Sequence, residues 1–435
     1  MRVAPLVFVA LVGCSGAKDE PPPIVDVGCG ERPEIEGVCV GVSAAPVCAD
    51  EMCSKDVACS RSWSVRDDAA LADAAPKAVA GECIVLARGT YRTALKLAGG
   101  VHLLGTGASA VTVSGLTFEG AGKSLVRGVA VVGGGVVTRG VAVELDRVSV
   151  RASTGYAALA ENADLTVTET TIAESAKIGI TVRCTAPSGC AAGRRPRLVL
   201  RRTWVHDTRS VGVWGSSVDA DLRDVVIENV HASSFLYGRG LEVNGQSTLF
   251  APWVRIKDCA DVGLAMFSSV GTLGPGLELR SVVRGLLLSK VPEGGLLADG
   301  FTIEDTSAVA ILIGADSKNV TVRNGVISGT RMFGVPVDIG GIEQVGDGIE
   351  WASGAQALVE DSVHISQSGR RPAVLGAGAR GTFAATLGGG DETRGVFVLD
   401  PSGSSKHPEL TIAPGIKVEY GSTVPIAIDP GTSKP

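Results

Sequence analysis

A four-residue pattern that returns nine times between residues 145 and 362 constrains this chain more than any other feature. It runs apolar, any residue, polar, then small or apolar. The copies are Leu145-Asp146-Arg147-Val148, Val167-Thr168-Glu169-Thr170, Leu200-Arg201-Arg202-Thr203, Ile227-Glu228-Asn229-Val230, Ile256-Lys257-Asp258-Cys259, Leu279-Arg280-Ser281-Val282, Ile303-Glu304-Asp305-Thr306, Val322-Arg323-Asn324-Gly325 and Val359-Glu360-Asp361-Ser362. Their starts lie 19 to 37 residues apart, a near-constant minimum with excess read as insertion. Most units also carry glycine followed by apolar-x-apolar, as at Gly179, Gly212, Gly240, Gly263, Gly285 and Gly348. Short alternating strands repeating at this period predict a β-solenoid, because no single unit buries its apolar face and stacking builds one continuous core.

Two outward columns follow from aligning the units. The second position of the first motif reads Asp146, Thr168, Arg201, Glu228, Lys257, Arg280, Glu304, Arg323 and Glu360. Opposite charges in adjacent rungs make this a structural ladder rather than a set of catalysts, each exposed pair contributing about 0–1 kcal/mol. The outward position of the glycine motif reads Thr181, Trp214, Glu242, Ala265, Leu287, Leu312 and Glu350. Its apolar run Ala265, Leu287 and Leu312 is either covered, with the insertion Gly329–Gly346 as the candidate cover, or used for binding.

The N-terminus reads differently. One basic residue, Arg2, precedes an apolar run from Val3 to Val12, too short to anchor in a bilayer and typical of a signal-peptide core. Leu11-Val12-Gly13-Cys14 resembles the bacterial lipobox, which implies lipidation of Cys14; Ser15 after it implies outer-membrane sorting. The division expected is a signal peptide over 1–13, a Pro-rich tether over 14–28, a cysteine-rich segment over 29–63, a capping helix over 64–80, the solenoid over 81–428 and a tail over 429–435. Nine cysteines remain after Cys14. Cys29, Cys39, Cys48, Cys53, Cys59 and Cys83 predict a disulfide framework of up to three bridges, with pairing left open, and Cys184 and Cys190 staple one loop. Cys259, at a repeat position otherwise filled by Val, Thr, Gly and Ser, reads as a buried structural thiol.

Ser64 as an N-cap, Asp67 and Asp68 in the first turn and Pro76 as terminator predict a helix. After it come Gly81-Glu82-Cys83-Ile84-Val85-Leu86-Ala87-Arg88-Gly89-Thr90-Tyr91 and the glycine-rich rung through Gly107. This succession is similar to the entry of the pectin-lyase-like superfamily of right-handed parallel β-helices. The resemblance implies an all-β single-stranded solenoid, here of about 12 rungs and roughly 60 Å, with a helix closing its N-terminal end. That superfamily includes lyases, hydrolases, epimerases and non-catalytic proteins, so the fold leaves activity open.

The formal charge of −6 and the lack of a basic face exclude a nucleic-acid partner. Arg194, Arg195 and Arg197 read as a solvated loop cluster. The richest polar set is His206, Asp207, His231, Tyr237, Arg239 and Glu242 beside Trp214, where an aromatic face suits a sugar ring. Complete polygalacturonase and pectate-lyase motifs are missing; Gly346-Asp347-Gly348 is an isolated fragment. Asp219, Asp221 and Asp224 lie next to a strand, where turn carboxylates are ordinary, so no cofactor is expected and calcium is the weaker alternative. The favoured reading is a non-catalytic envelope lipoprotein, anchored to the membrane by its lipid and binding glycan or an envelope protein along the Trp214–Leu312 face, with Trp214, Tyr237, Arg239, Glu242, Leu287 and Leu312 as contacts. The alternative is a polysaccharide lyase or glycoside hydrolase with a divergent site among His206, Asp207, His231, Arg239 and Glu242.

Overall fold

The structure is a computed structural model and describes residues 29–43, 57–185, 194–233, 238–337, 341–352, 354–399 and 409–422. From Cys83 onward the chain winds as a right-handed parallel β-helix, the fold the resemblance implies. Each coil contributes a strand to three faces. Face 1 begins with Cys83–Leu86, His102–Gly105 and Lys123–Arg127, face 2 with Gly89–Tyr91, Val111–Val113 and Ala130–Val132, and face 3 with Leu95–Ala98, Leu116–Glu119 and Val136–Arg139. Every coil pairs in parallel with the next, ending at Leu410–Ile412 and Val418–Gly421. About 14 turns result rather than the 12 expected, because the first rungs turn on glycines and lack the four-residue motif.

The nine motif copies mark corners, and they belong to two corners rather than one column. In eight of them the third residue (Arg147, Glu169, Arg202, Asn229, Asp258, Ser281, Asp305 and Asn324) adopts a left-handed backbone, with φ between 47° and 54°. One such residue reverses the chain from an outward strand end to the next inward side chain. Copies at Leu145, Val167, Leu200, Val322 and Val359 end face 1, while those at Ile227, Ile256, Leu279 and Ile303 end face 2. Part of the uneven spacing therefore comes from jumping between corners, not from insertion. Ion pairs do bridge coils at both corners, as in Arg127–Asp146 at 2.7 Å and Lys257–Glu228 at 2.9 Å.

Inside, each face stacks aliphatic columns. On face 2 one runs Val131, Val150, Ile172, Val205, Ile227, Ile256, Leu279, Ile303, Ile327 and Ile365, all fully buried. β-Branched side chains suit this wall, since χ1 is already restricted in a strand and ordering it costs little more. The repeat glycines stack on face 3, where the backbone of one coil lies against the next. A Cβ at Gly212 would sit 2.6 Å from Ile227 Cγ2 and 2.7 Å from the Gly240 carbonyl oxygen.

The capping helix is shorter than expected, Asp68–Ala74, with Asp67 rather than Ser64 as N-cap; the Asp67 carboxylate accepts from Ala70 N at 2.8 Å. Ser64 lies instead in the strand Ser62–Val65, which pairs with Cys83–Leu86. Leu71 and Ala74 join the core at the entry of the solenoid. Cys59–Cys83 ties this entry and Cys29–Cys39 closes the first hairpin. Cys184 is disulfide-bonded, whereas Cys14, Cys48, Cys53 and Cys190 lie outside the described residues.

The cysteine-rich segment was expected to lie at the N-terminal end. Of its described residues, 57–63 do lie at the entry, whereas 29–43 run along the outside of face 2 in the middle of the rod. Ile35 and Val40 pack on Trp204 and Val226, Gly41 N donates to Arg202 O at 2.9 Å, and Arg255 Nη1 donates to Glu34 O at 3.0 Å. These contacts span three successive coils.

Replacing Gly212 by Ala is expected to destabilise the solenoid by about 1–3 kcal/mol, the cost of overpacking against a facing backbone. Chemical denaturation followed by circular dichroism checks this. An unchanged midpoint would mean the glycine stack has slack that the geometry does not show.

Candidate functional site

The expected glycine-motif column exists in register. Thr181 pairs with Trp214, Trp214 with Glu242, Glu242 with Ala265, Ala265 with Leu287, Leu287 with Leu312 and Leu312 with Glu350. All stand on the outer side of face 3, yet the column is largely covered: Thr181, Glu242 and Ala265 are buried, and Trp214, Leu287 and Leu312 half-buried. The insertion after Gly329 forms an antiparallel hairpin, Phe333–Val337 with Gly341–Val345. Its Val345 packs with Ala308, Val309, Val283 and Leu312, so the hairpin covers the lower end of the apolar run.

Arg239 opens its face 3 strand, Arg239–Asn244, and its guanidinium holds two carboxylates. Nη1 donates to Glu242 Oε2 at 2.6 Å, and Nε reaches Asp261 Oδ2 at 3.5 Å. Arg284 Nη1 donates to Asp261 Oδ1 at 2.7 Å, and Asn244 Nδ2 to Glu242 Oε1 at 3.1 Å. The Phe267 ring lies 5.3 Å from the Arg239 guanidinium carbon. Side-chain exposures of 11% for Glu242, 16% for Asp261, 17% for Arg239 and 28% for Arg284 describe a polar cluster mostly withdrawn from water.

The other candidates lie elsewhere. Val205-His206-Asp207-Thr208 is itself a corner of the same kind, with Asp207 left-handed at φ 51°. His206 Nδ1 bonds Asp207 Oδ2 at 2.6 Å, and its ring stacks on Trp204 with centroids 4.0 Å apart. Trp204 Nε1 donates to Glu228 Oε1 at 2.9 Å, and Glu228 is the face 2 neighbour of His206. This group belongs to face 2 and sits beside the 29–43 segment, around a corner from Arg239. His231 is an exposed strand end next to Arg209. Tyr237 lies outside the described residues. The five proposed catalytic residues therefore do not form one constellation: Arg239 and Glu242 come together, and His206 with Asp207 makes a separate pair.

Sequence reasoning missed Asp261 and Arg284, and also Trp204. A signal was available. Residues preceding the repeat glycines (Val211, Arg239, Val262, Arg284, Val309 and Asp347) alternate between apolar and charged, and a charge there points at its neighbours along the stack. Asp261 escaped because the register shifts between Cys259 and Val262.

Arginines hold most of the other carboxylates singled out in the sequence. Asp221 pairs with Arg201 and Arg223, which keep its carboxyl below the usual range although burial works against them. Asp219 pairs with Arg195 at 3.5 Å, Arg194 pairs with Asp164 at 2.7 Å, and Asp224 occupies a left-handed corner. Asp347 is fully buried, and Arg370 Nε donates to both its oxygens at 2.9 and 3.1 Å.

No family model and no curated relative matches the sequence. Solved structures do resemble it in fold. The catalytic domain of a GH87 alpha-1,3-glucanase in complex with tetrasaccharides is 14% identical, covering 85% of this chain and 70% of that one at a TM-score of 0.39. A PL6 family alginate lyase is 12% identical, covering 82% and 75% at a TM-score of 0.29. The A-module of the Azotobacter vinelandii mannuronan C-5 epimerase is 13% identical, covering 82% and 99% at a TM-score of 0.34. At these values the likeness concerns the fold alone.

Two predictions separate structure from chemistry here. Cys259 is buried and its thiol is pushed far up by desolvation, so iodoacetamide is expected to label it only after unfolding; labelling of the native protein would contradict the packing. Arg370→Ala should destabilise by roughly 3–5 kcal/mol, because Asp347 loses its buried counter-charge. A near-neutral result in a melting experiment would show that Asp347 has another way to be satisfied.

Proposed function

We propose that this protein is a carbohydrate-active β-helix enzyme that cleaves glycosidic bonds of a polysaccharide laid along face 3, with Glu242 and Asp261 as the reacting carboxylates. The observation that carries the reading is the placement of four charged side chains, largely out of water, where the fold accepts apolar ones. In the next coils the Glu242 column carries Ala265, Leu287 and Leu312, and the Arg239 column carries Val262 and Val309. Withdrawing paired charges from water is rarely a net gain over apolar packing, so stability alone does not account for this cluster. One guanidinium holds two carboxylates side by side, and hydrolysis uses such a pair: one carboxyl protonates the glycosidic oxygen while the other attacks the anomeric carbon or activates a water there. Asp261 is shared by Arg239 and Arg284, and Glu242 is held by Arg239 and Asn244; the two are the candidates for the acid and the base or nucleophile. Trp214, one coil above Glu242, offers an aromatic surface to an adjacent sugar.

A second reading is recognition without turnover. It is supported by the same cluster, since every carboxylate in it already accepts from a guanidinium, and by the half-buried Leu287 in the neighbouring column. Export with lipidation at Cys14 belongs to the proposal as well; Cys29–Cys39 and Cys59–Cys83 accord with an oxidising compartment.

The test is product release from a panel of neutral and acidic polysaccharides. Wild type should release reducing ends, and Glu242→Gln or Asp261→Asn should lower the rate by about 100-fold or more while leaving the circular dichroism spectrum unchanged. Unsaturated product would move the chemistry to elimination. Binding without product, weakened by either variant, would establish the recognition reading and end the enzyme one.

A further inference from the structure

We infer that a second saccharide-binding groove lies on face 2, with Trp253 as its platform. It involves none of the face 3 residues and does not rest on that reading.

The groove is carved at the corner between faces 1 and 2. The corner residues stack down the rod as Arg202, Asp224, Trp253, Gly276, Gly300 and Asn324, every one with positive φ. At this corner the fold otherwise takes polar residues or glycine. Trp253 has φ 53°, a backbone that bulky side chains rarely adopt, and it is 36% exposed. A large aromatic ring is thus kept against two costs, an unfavourable backbone and incomplete burial. Such an outlier points to use rather than packing.

The two glycines below the tryptophan make the hollow. A Cβ at Gly276 would run into the Trp253 ring, so one ring face lies flat on bare backbone while the ring borders a cavity of about 540 Å³. That volume is within the usual range for small-ligand sites. The floor is the outward column of face 2, Arg255, Glu278, Thr302 and Val326, in register across four coils. Arg255 Nε donates to Glu278 Oε2 at 2.5 Å. Ile35 and Glu36 form the far wall, at the tip of the hairpin Glu34–Ile35 and Val38–Cys39 that Cys29–Cys39 closes. Glu36 and Gly37 both have positive φ, the two-residue turn that such a hairpin requires.

The chemistry of the walls selects the ligand. An aromatic face suits the C–H side of a pyranose, and the planar guanidinium–carboxylate pair with the Thr302 hydroxyl and Asn324 amide suits its hydroxyls. A hydrophobic ligand would meet charge on three sides. Glu36, Glu278 and Glu304 outnumber Arg255, which disfavours phosphate, nucleic acid and uronate and favours neutral or amino sugars. The groove runs along the rod axis, so a chain can occupy successive coils.

The experiment is calorimetric titration of the full chain with cellohexaose, laminarihexaose, mannohexaose and chitohexaose. We expect at least one to bind, with affinity reduced at least tenfold by Trp253→Gly, which suits the left-handed backbone. A like loss is expected from Thr302→Trp, which fills the groove from an outward position and leaves the core intact. Glu242→Gln and Asp261→Asn should leave this binding in place, which separates the groove from the face 3 site. Binding that survives both groove variants, or no binding by any of the four hexaoses, overturns the proposal.

Discussion

The in-register pairing of each coil with the next is the constraint on which the rest of this structure depends. A parallel ladder satisfies the backbone of every strand only if each coil turns at the same places as its neighbours, and a slip of one residue would turn a whole face inside out. The corners enforce that register. A single residue in the left-handed region separates an outward side chain from the next inward one, at both the face 1 and the face 2 corners. Such a conformation costs roughly 1–2 kcal/mol per residue for an ordinary L-amino acid, yet Arg147, Glu169 and Arg202 all adopt it. The stack recovers the cost through ladder bonds and through ion pairs such as Arg202 with Glu169 at 2.5 Å, which join corner residues of adjacent coils.

The same physics explains what could be read in the sequence. The face 3 column was legible residue by residue because the repeat glycine leaves no room for a Cβ and so pins the alignment of every unit that carries it. The corner motif was legible as a repeat, but not as two corners: the local rule, one left-handed residue after an outward side chain, is identical at both. For that reason His206-Asp207 read as a candidate catalytic pair when its second member is a corner residue. Early rungs were undercounted because Gly128, Gly133 and Gly140 turn the chain without any polar signature. The path of 29–43 across face 2 depends on contacts with Trp204, Val226 and Arg255 far along the chain, and nothing local specifies it.

Charge divides into two populations. Pairs at the coil edges, such as Lys96–Glu119 at 2.7 Å, are exposed and serve solubility and register more than stability. The Arg239 cluster and the Asp347–Arg370 pair are withdrawn from water, and their members Arg239, Arg284 and Asp347 share one column, each just before a repeat glycine. They differ in accessibility. Arg370 and Asp347 are 3% and 0% exposed and sealed in the wall, while Arg284 keeps more than a quarter of its side chain in solvent. A sealed pair can hold the wall together; only a partly open one can meet a ligand.

Insertions bear out that distinction. More chain separates His231 from Arg239, and Ser328 from Asp347, than separates face 2 from face 3 in the coils between them. The coils between these points carry Ala265, Leu287 and Leu312 in file, directly below Glu242. A solenoid has no intrinsic reason to lengthen one corner twice while leaving the intervening coils minimal. The apolar file thus has a longer connection at each end and the charged cluster at its upper end. On the reading proposed above, a coil spacing of about 4.8 Å would offer equivalent positions to successive residues of an extended glycan. Face 2 is shaped by different means, with a disulfide-closed hairpin laid across it and two glycines cut into its corner. In both places chain added to the outside of the repeat shapes the surface, while the repeat itself supplies spacing and rigidity.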